Sequence, residues 1–131
     1  MTHILAEFYH HTLISSGIET KLFDFRNMPE SMLFSNPVFS GPGSEIQKVA
    51  DEFIQPAQKI VFVIPEYNGS YPGILKVFID GFKPELFQGK KAALLGMATG
   101  RAGNLRGMDH LTDVLMHLGM QVLNNRLPVS R

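Results

Sequence analysis

Five consecutive apolar residues, Ile60-Val61-Phe62-Val63-Ile64, constrain this 131-residue chain more than any other feature. They are largely β-branched and show no alternation, so neither face is reserved for water. Such a strand is expected to be covered on both sides, as in a parallel sheet between helix layers. A second segment, residues 91–97, reads as another buried strand. Parallel neighbours need long crossover connections, which are usually helical. The intervals here carry helical patterns.

The first helix is predicted from a Thr2 cap through Ser16, with Ile4, Leu5, Phe8, Leu13 and Ile14 near one apolar face and Gly17 as its stop. Residues 20–25 read as a strand. Residues 26–43, with Pro29, Pro37, Pro42, Gly41 and Gly43, read as a long irregular connection. Ser44 and Gln47 form a capping-box pattern ahead of Ile46, Val49, Ala50 and Phe53, and Pro56 ends that helix. A helix from Pro72 to Phe82 follows the first buried strand, since proline suits a first helical turn. After the second strand come a glycine-rich turn and a helix over 105–118, with Leu105, Met108, Leu111, Thr112 and Leu115 on one face. Residues 121–123 start a last short strand. Helix and strand alternate along the chain, so the expected architecture is α/β in one domain, 1–131, with right-handed crossovers.

Twelve basic residues balance twelve acidic ones. No excess of positive charge favours nucleic acid or an anionic membrane. The absence of cysteine excludes disulfides, thiolate zinc, iron–sulfur clusters and thiol nucleophiles. No apolar run is long enough to span a bilayer, and the start lacks a secretory signal pattern, so a cytoplasmic protein is expected. The five histidines do not suggest a metal site. His10 and His11 point about 100° apart, and His110 and His117 stand roughly 10 Å apart along a helix.

In open parallel sheets, ligands bind beyond the carboxyl ends of the strands. Two turns leave such ends: Pro65-Glu66-Tyr67-Asn68-Gly69-Ser70 and Ala98-Thr99-Gly100-Arg101-Ala102-Gly103. Each combines glycine, which lets a ligand approach the backbone, with polar groups able to fix a ring edge. The same residues also suit ordinary turns.

The run from Pro65 through Tyr71, Pro72, Gly73, Ile74, Leu75, Lys76 and Asp80 closely resembles the signature of the NADPH-dependent FMN reductase family, P-E-Y-N-x-S-x-P-G-x-L-K-N-x-I-D-W. Phe87-Gln88-Gly89-Lys90 and the glycine-rich turn after the next strand resemble the family too. The resemblance implies a three-layer flavodoxin-like fold and the cofactors FMN and NADPH. It implies that Pro65, Glu66, Tyr67, Asn68, Gly69 and Ser70 hold one side of the flavin. Thr99, Gly100, Arg101 and Gly103 would line the facing edge, with Arg101 touching the flavin or a nucleotide phosphate. The flavin carries the chemistry, so no side chain is expected to act as nucleophile or general base. Acceptors of the quinone, azo or flavin class and a homodimer, or a dimer of dimers, are implied as well.

The chain departs from that family pattern at its start. Members open with a central strand and a G-S-x-R-x-x-S-type phosphate loop, whereas Met1-Thr2-His3-Ile4-Leu5-Ala6 resembles the helix that follows. Thr2 alone corresponds to the phosphate site. The absent strand would lie between residues 20–25 and 60–64, so those strands must pair directly or leave backbone groups unpaired. The chain also stops where the family has a further helix, and it reads as a shortened one. Val77 and Gly81 replace the usual Asn and Trp on a helix that contributes to the family's dimer interface. The alternative is a protein of the same fold without catalysis: a flavin-binding electron carrier, or a cofactor-free interaction module.

Overall fold

The computed structural model describes residues 1–34 and 43–130. The elements in chain order are α1 (Thr2–Ser15), a 3-10 turn (Phe25–Asn27), α2 (Ser31–Phe34), α3 (Glu45–Val49, continued by a π-helical turn Ala50–Ile54), β1 (Lys59–Pro65), α4 (Gly73–Asp80), a 3-10 turn (Pro84–Leu86), β2 (Lys91–Ala98), α5 (Leu105–His117), β3 (Gln121–Val122) and β4 (Leu127–Ser130). Pro37, Gly41 and Pro42 of the expected irregular connection lie outside the described residues.

All strand pairings are parallel. β1 pairs with β2 along its whole length, from Lys59↔Lys91 to Pro65↔Met97. β3 and β4 both pair with β2 on its other side, as Lys91↔Gln121 and as Leu95↔Leu127 through Ala98↔Ser130. They are two segments of one edge, separated by residues 123–126. β4 was not legible in the sequence, because Pro128 within a short polar tail argues against a strand; an edge position tolerates it.

The register puts Phe62 beside Leu94 and Ile64 beside Gly96 on one face. Phe62, Ile64, Ala92 and Leu94 of that face join one hydrophobic core with Ile46 and Val49 of α3, Leu75, Phe78 and Ile79 of α4, and Met108, Leu111 and Leu115 of α5. α1 lies on the other face, where the Thr2 hydroxyl reaches the Met97 sulfur at 3.9 Å. Coverage there is thinner: Val61, Val63, Ala93 and Met97 are half-buried. The sheet thus has helices on both faces, as its unalternating strands imply.

Four local expectations need correction. Residues 20–25 form no strand. Phe23 and Phe25 are instead drawn into an aromatic cluster with Phe53 and Phe78, with ring centroids 5.0–5.7 Å apart. The Asp24 side chain accepts from the Arg26 amide and bends the chain into the 3-10 turn. Arg26 also holds the Asp24 carboxyl below the ordinary carboxylate range by hydrogen bonding to it. At the first helix, Met1 rather than Thr2 is the cap, and Ile4, Phe8 and Ile14 of the supposed core face are exposed. The Ser44 hydroxyl does cap the Gln47 amide, but the Gln47 side chain donates to Asp51 instead of returning to the cap. Leu105 is exposed, and Gly107 takes its place on the buried stripe of α5.

With residues 20–25 displaced, β1 is an edge strand among the described residues. The Glu66 amide donates to Met97 O, and Lys91 N donates to Gln58 O, so even-numbered residues of this strand face β2. By ladder parity the N–H and C=O groups of Val61 and Val63 face outward. Among the described residues nothing pairs with them. Amide hydrogen exchange followed by NMR is expected to show a period of two along β1, with Val61 and Val63 exchanging much faster than Phe62 and Ile64. Uniform protection across 60–64 would show that this edge is paired.

Candidate functional site

Because β1 and β2 run parallel and in register, their carboxyl ends lie side by side. The ladder continues one bond past the strand, where Glu66 N donates to Met97 O at 2.8 Å. The 65–70 and 98–103 turns therefore rise from the same rim as neighbours. Thr2, half-buried at the start of α1, reaches the same rim through Met97. The structure thus brings together Pro65, Glu66, Tyr67, Asn68, Gly69, Ser70, Thr99, Gly100, Arg101, Gly103 and Thr2.

The first turn is tight. Asn68 and Gly69 both adopt positive φ, 52° and 76°. The turn is closed by reciprocal bonds, Tyr67 N to Ser70 O at 2.9 Å and Ser70 N to Tyr67 O at 3.1 Å. Two central residues with φ > 0 are the geometry for which Asn-Gly is the preferred pair. This leaves the Asn68 and Gly69 amides free among the described residues, and the Tyr67 ring is exposed.

In the second turn, Thr99, Gly100 and Arg101 are exposed, and a Cβ at Gly100 would meet open space. The amides of Gly100, Arg101 and Ala102 donate to nothing among the described residues. Gly103 differs from the other three. It is buried, and a Cβ there would sit 2.7 Å from Pro128 Cβ and Val129 N, so its role is to let β4 close against the turn.

The backing of the site was not legible in the sequence. Asn104, wholly buried with φ 67°, donates from its side-chain amide to Ile64 O at 3.1 Å. It ties the start of α5 to the end of β1. Asn is one of the few residues that tolerate this left-handed region, and its position after Gly103 at a helix start was the available signal. Its Oδ1 has no partner among the described residues. His110, considered above only as a metal ligand, lies with Nδ1 2.9 Å from Ser70 Oγ. The Arg106 side chain lies over Gly69, 3.1 Å from where a Cβ would stand. Among the described residues no three His, Asp or Glu side chains converge as a metal site would require, and no helix is long and apolar enough to cross a membrane. A hollow lined by residues 55–59 and 88–91 lies at the opposite, amino-terminal rim of the strands.

A parallel sheet with helices on both faces and two polar turns at the carboxyl rim defines a flavodoxin-like α/β protein. The sequence profile of the NADPH-dependent FMN reductase family matches residues 1–131, and the chain belongs to that family. An NAD(P)H-dependent FMN reductase from Pseudomonas aeruginosa is 34% identical over 116 residues, which cover 86% of this chain and 60% of the relative. A 2-hydroxy-1,4-benzoquinone reductase from Burkholderia sp is 29% identical over 118 residues, covering 87% and 64%. The chain thus spans about three-fifths of the length of these curated relatives. Among solved structures, FerB, a flavoenzyme NAD(P)H:(acceptor) oxidoreductase from Paracoccus denitrificans, superposes with a TM-score of 0.81 at 23% identity, over 98% of this chain and 71% of that one. At that identity the match speaks for the fold.

Close packing of the two turns onto their backing is testable at Gly96. A Cβ there would lie 2.4 Å from Gly103 O and 2.8 Å from Met108 Cε. Gly96→Ala is expected to destabilise the protein by about 1–3 kcal/mol, read as a lowered urea midpoint with unchanged slope. An unchanged midpoint would mean that the second turn is not held against β2.

Proposed function

We propose that this chain is a flavin-dependent oxidoreductase, passing hydride from NAD(P)H through FMN to a small acceptor of the quinone, azo or flavin class. Membership of the family supports this, as do relatives named as FMN, quinone and azo reductases. The observation that carries it is the adjacency of the two turns, fixed by the Pro65↔Met97 register and the bond beyond it.

The donor set fits a flavin. The turns offer unpaired backbone amides at Asn68, Gly69, Gly100, Arg101 and Ala102, neutral side chains at Tyr67, Asn68 and Thr99, and one exposed cation at Arg101. That is a suitable lining for a flat ring whose polar edge is rich in carbonyl and imine acceptors. In this reading, the Pro65 to Ser70 turn holds one side of the ring. Thr99, Gly100 and Arg101 hold the facing edge, and Gly103 keeps that turn low against β4. Thr2, at the start of α1, where no side chain caps the helix, serves the phosphate end. When bound, FMN supplies the hydride relay itself. The residues of the two turns would position the ring and hydrogen-bond its edge. The Glu66 amide is committed to Met97, so its contribution is to anchor the turn.

Homodimerisation through α4 is part of the proposal, supported by Ile74 and Val77, which are exposed on that helix. A cytoplasmic, single-domain enzyme without nucleic-acid or membrane partners completes it, in keeping with the balanced charge.

The test is a visible absorbance spectrum of the purified protein reconstituted with FMN, recorded before and after NADPH. Retention of an oxidised flavin band through gel filtration, and its loss on adding NADPH, are the expected results. A band that persists with NADPH indicates an electron carrier. A protein that stays colourless after incubation with FMN indicates an interaction module.

A further inference from the structure

The 65–70 turn projects from the end of an edge strand, and its own two hydrogen bonds close it without fixing where it stands. Glu66 N, bonded to Met97 O, anchors its start, and α5 holds its far end. Three residues on the first turns of that helix address the projecting loop. Gly107 admits the backbone of Ser70 to close range: a Cβ there would lie 2.9 Å from Ser70 C. Arg106 lies over Gly69. His110, three residues after Gly107 and therefore on the same helix face, reaches Ser70 Oγ with Nδ1 at 2.9 Å. Of these contacts only the last is a directional bond.

α5 begins at Leu105, directly after the 98–103 turn. With the near ends of the turns set by the Pro65↔Met97 register, whatever joins Ser70 to α5 sets how far the outer part of the first turn stands from the second. We propose that His110 is a positioning residue that clasps the 65–70 turn to α5 through Ser70 and so fixes the width of the cleft between the two turns. This rests on the flavin reading for its functional consequence and not for its geometry. With the proton on Nε2, Nδ1 accepts from the Ser70 hydroxyl. The hydroxyl is then spent on the clasp. The ligand-facing donors of this turn are the Asn68 and Gly69 amides and the Asn68 side chain.

The experiment uses the full chain as His110→Ala, His110→Asn, Ser70→Ala and the His110→Ala/Ser70→Ala double variant. Asn carries a side-chain acceptor at the position of Nδ1, so it preserves the bond while removing the ring. Two quantities are read: the FMN dissociation constant from quenching of flavin fluorescence, and exchange of the Tyr67 and Ser70 amides by NMR. His110→Ala is expected to weaken FMN binding roughly three- to tenfold, the worth of one such bond, and to quicken exchange at Tyr67 and Ser70. His110→Asn is expected to restore both. The double variant is expected to be no worse than either single one, because one bond cannot be lost twice. A His110→Ala protein with unchanged exchange at these amides, failure of Asn to rescue, or additive losses would each overturn the proposal. Wild-type protein that takes up no FMN would overturn the flavin reading, and the exchange measurements would still decide the clasp.

Discussion

The structure depends on the parallel pairing of β1 with β2. Seven register pairs run without a break from Lys59↔Lys91 to Pro65↔Met97. Each backbone bond in that ladder is worth little by itself, about 1 kcal/mol net. Together they decide which loops can meet. Parallel strands deliver both carboxyl ends to one rim, so the Asn-Gly turn and the glycine-rich turn become neighbours although some thirty residues separate them. An antiparallel pairing of the same strands would have sent them to opposite rims.

The rim is assembled by close approach as much as by hydrogen bonds. Gly96, Gly103 and Gly107 each stand where a Cβ would strike neighbouring atoms at 2.1–2.7 Å. These glycines are needed for packing the turns on their backing, whereas a Cβ at Gly100 would meet open space and Gly69 takes the positive φ its turn requires. Asn104 adds a buried tie from α5 to β1, and His110 adds an exposed one from α5 to Ser70. α5 thus ties to both turns, while among the described residues no strand lies beside the outer edge of β1.

Much of this was legible in the sequence, for local reasons. The strand at 60–64 announces itself by unbroken β-branched residues, and α5 by a stripe at Met108, Leu111 and Leu115 that is indeed buried. The adjacency of the two turns followed from the rule for parallel sheets. Residues 20–25 show where such reading stops. Their composition is strand-like, but a strand needs a backbone neighbour, and Phe23 and Phe25 found better burial against Phe53 and Phe78. Asn104 and His110 were missed because each acts across forty residues of sequence. No periodicity records such a contact. The apolar pattern of α1 was read correctly as helix yet wrongly as core, since Ile4 and Phe8 are exposed.

The central claim is that the ligand lies between the two turns at the carboxyl rim. Titrating isotopically labelled protein with FMN and following backbone amide shifts tests it most directly. The account predicts large shifts at Asn68, Gly69, Gly100, Arg101 and Ala102, with little change at residues 55–59 and 88–91 on the opposite rim. Shifts concentrated on that opposite rim, or on only one of the two turns, would contradict it.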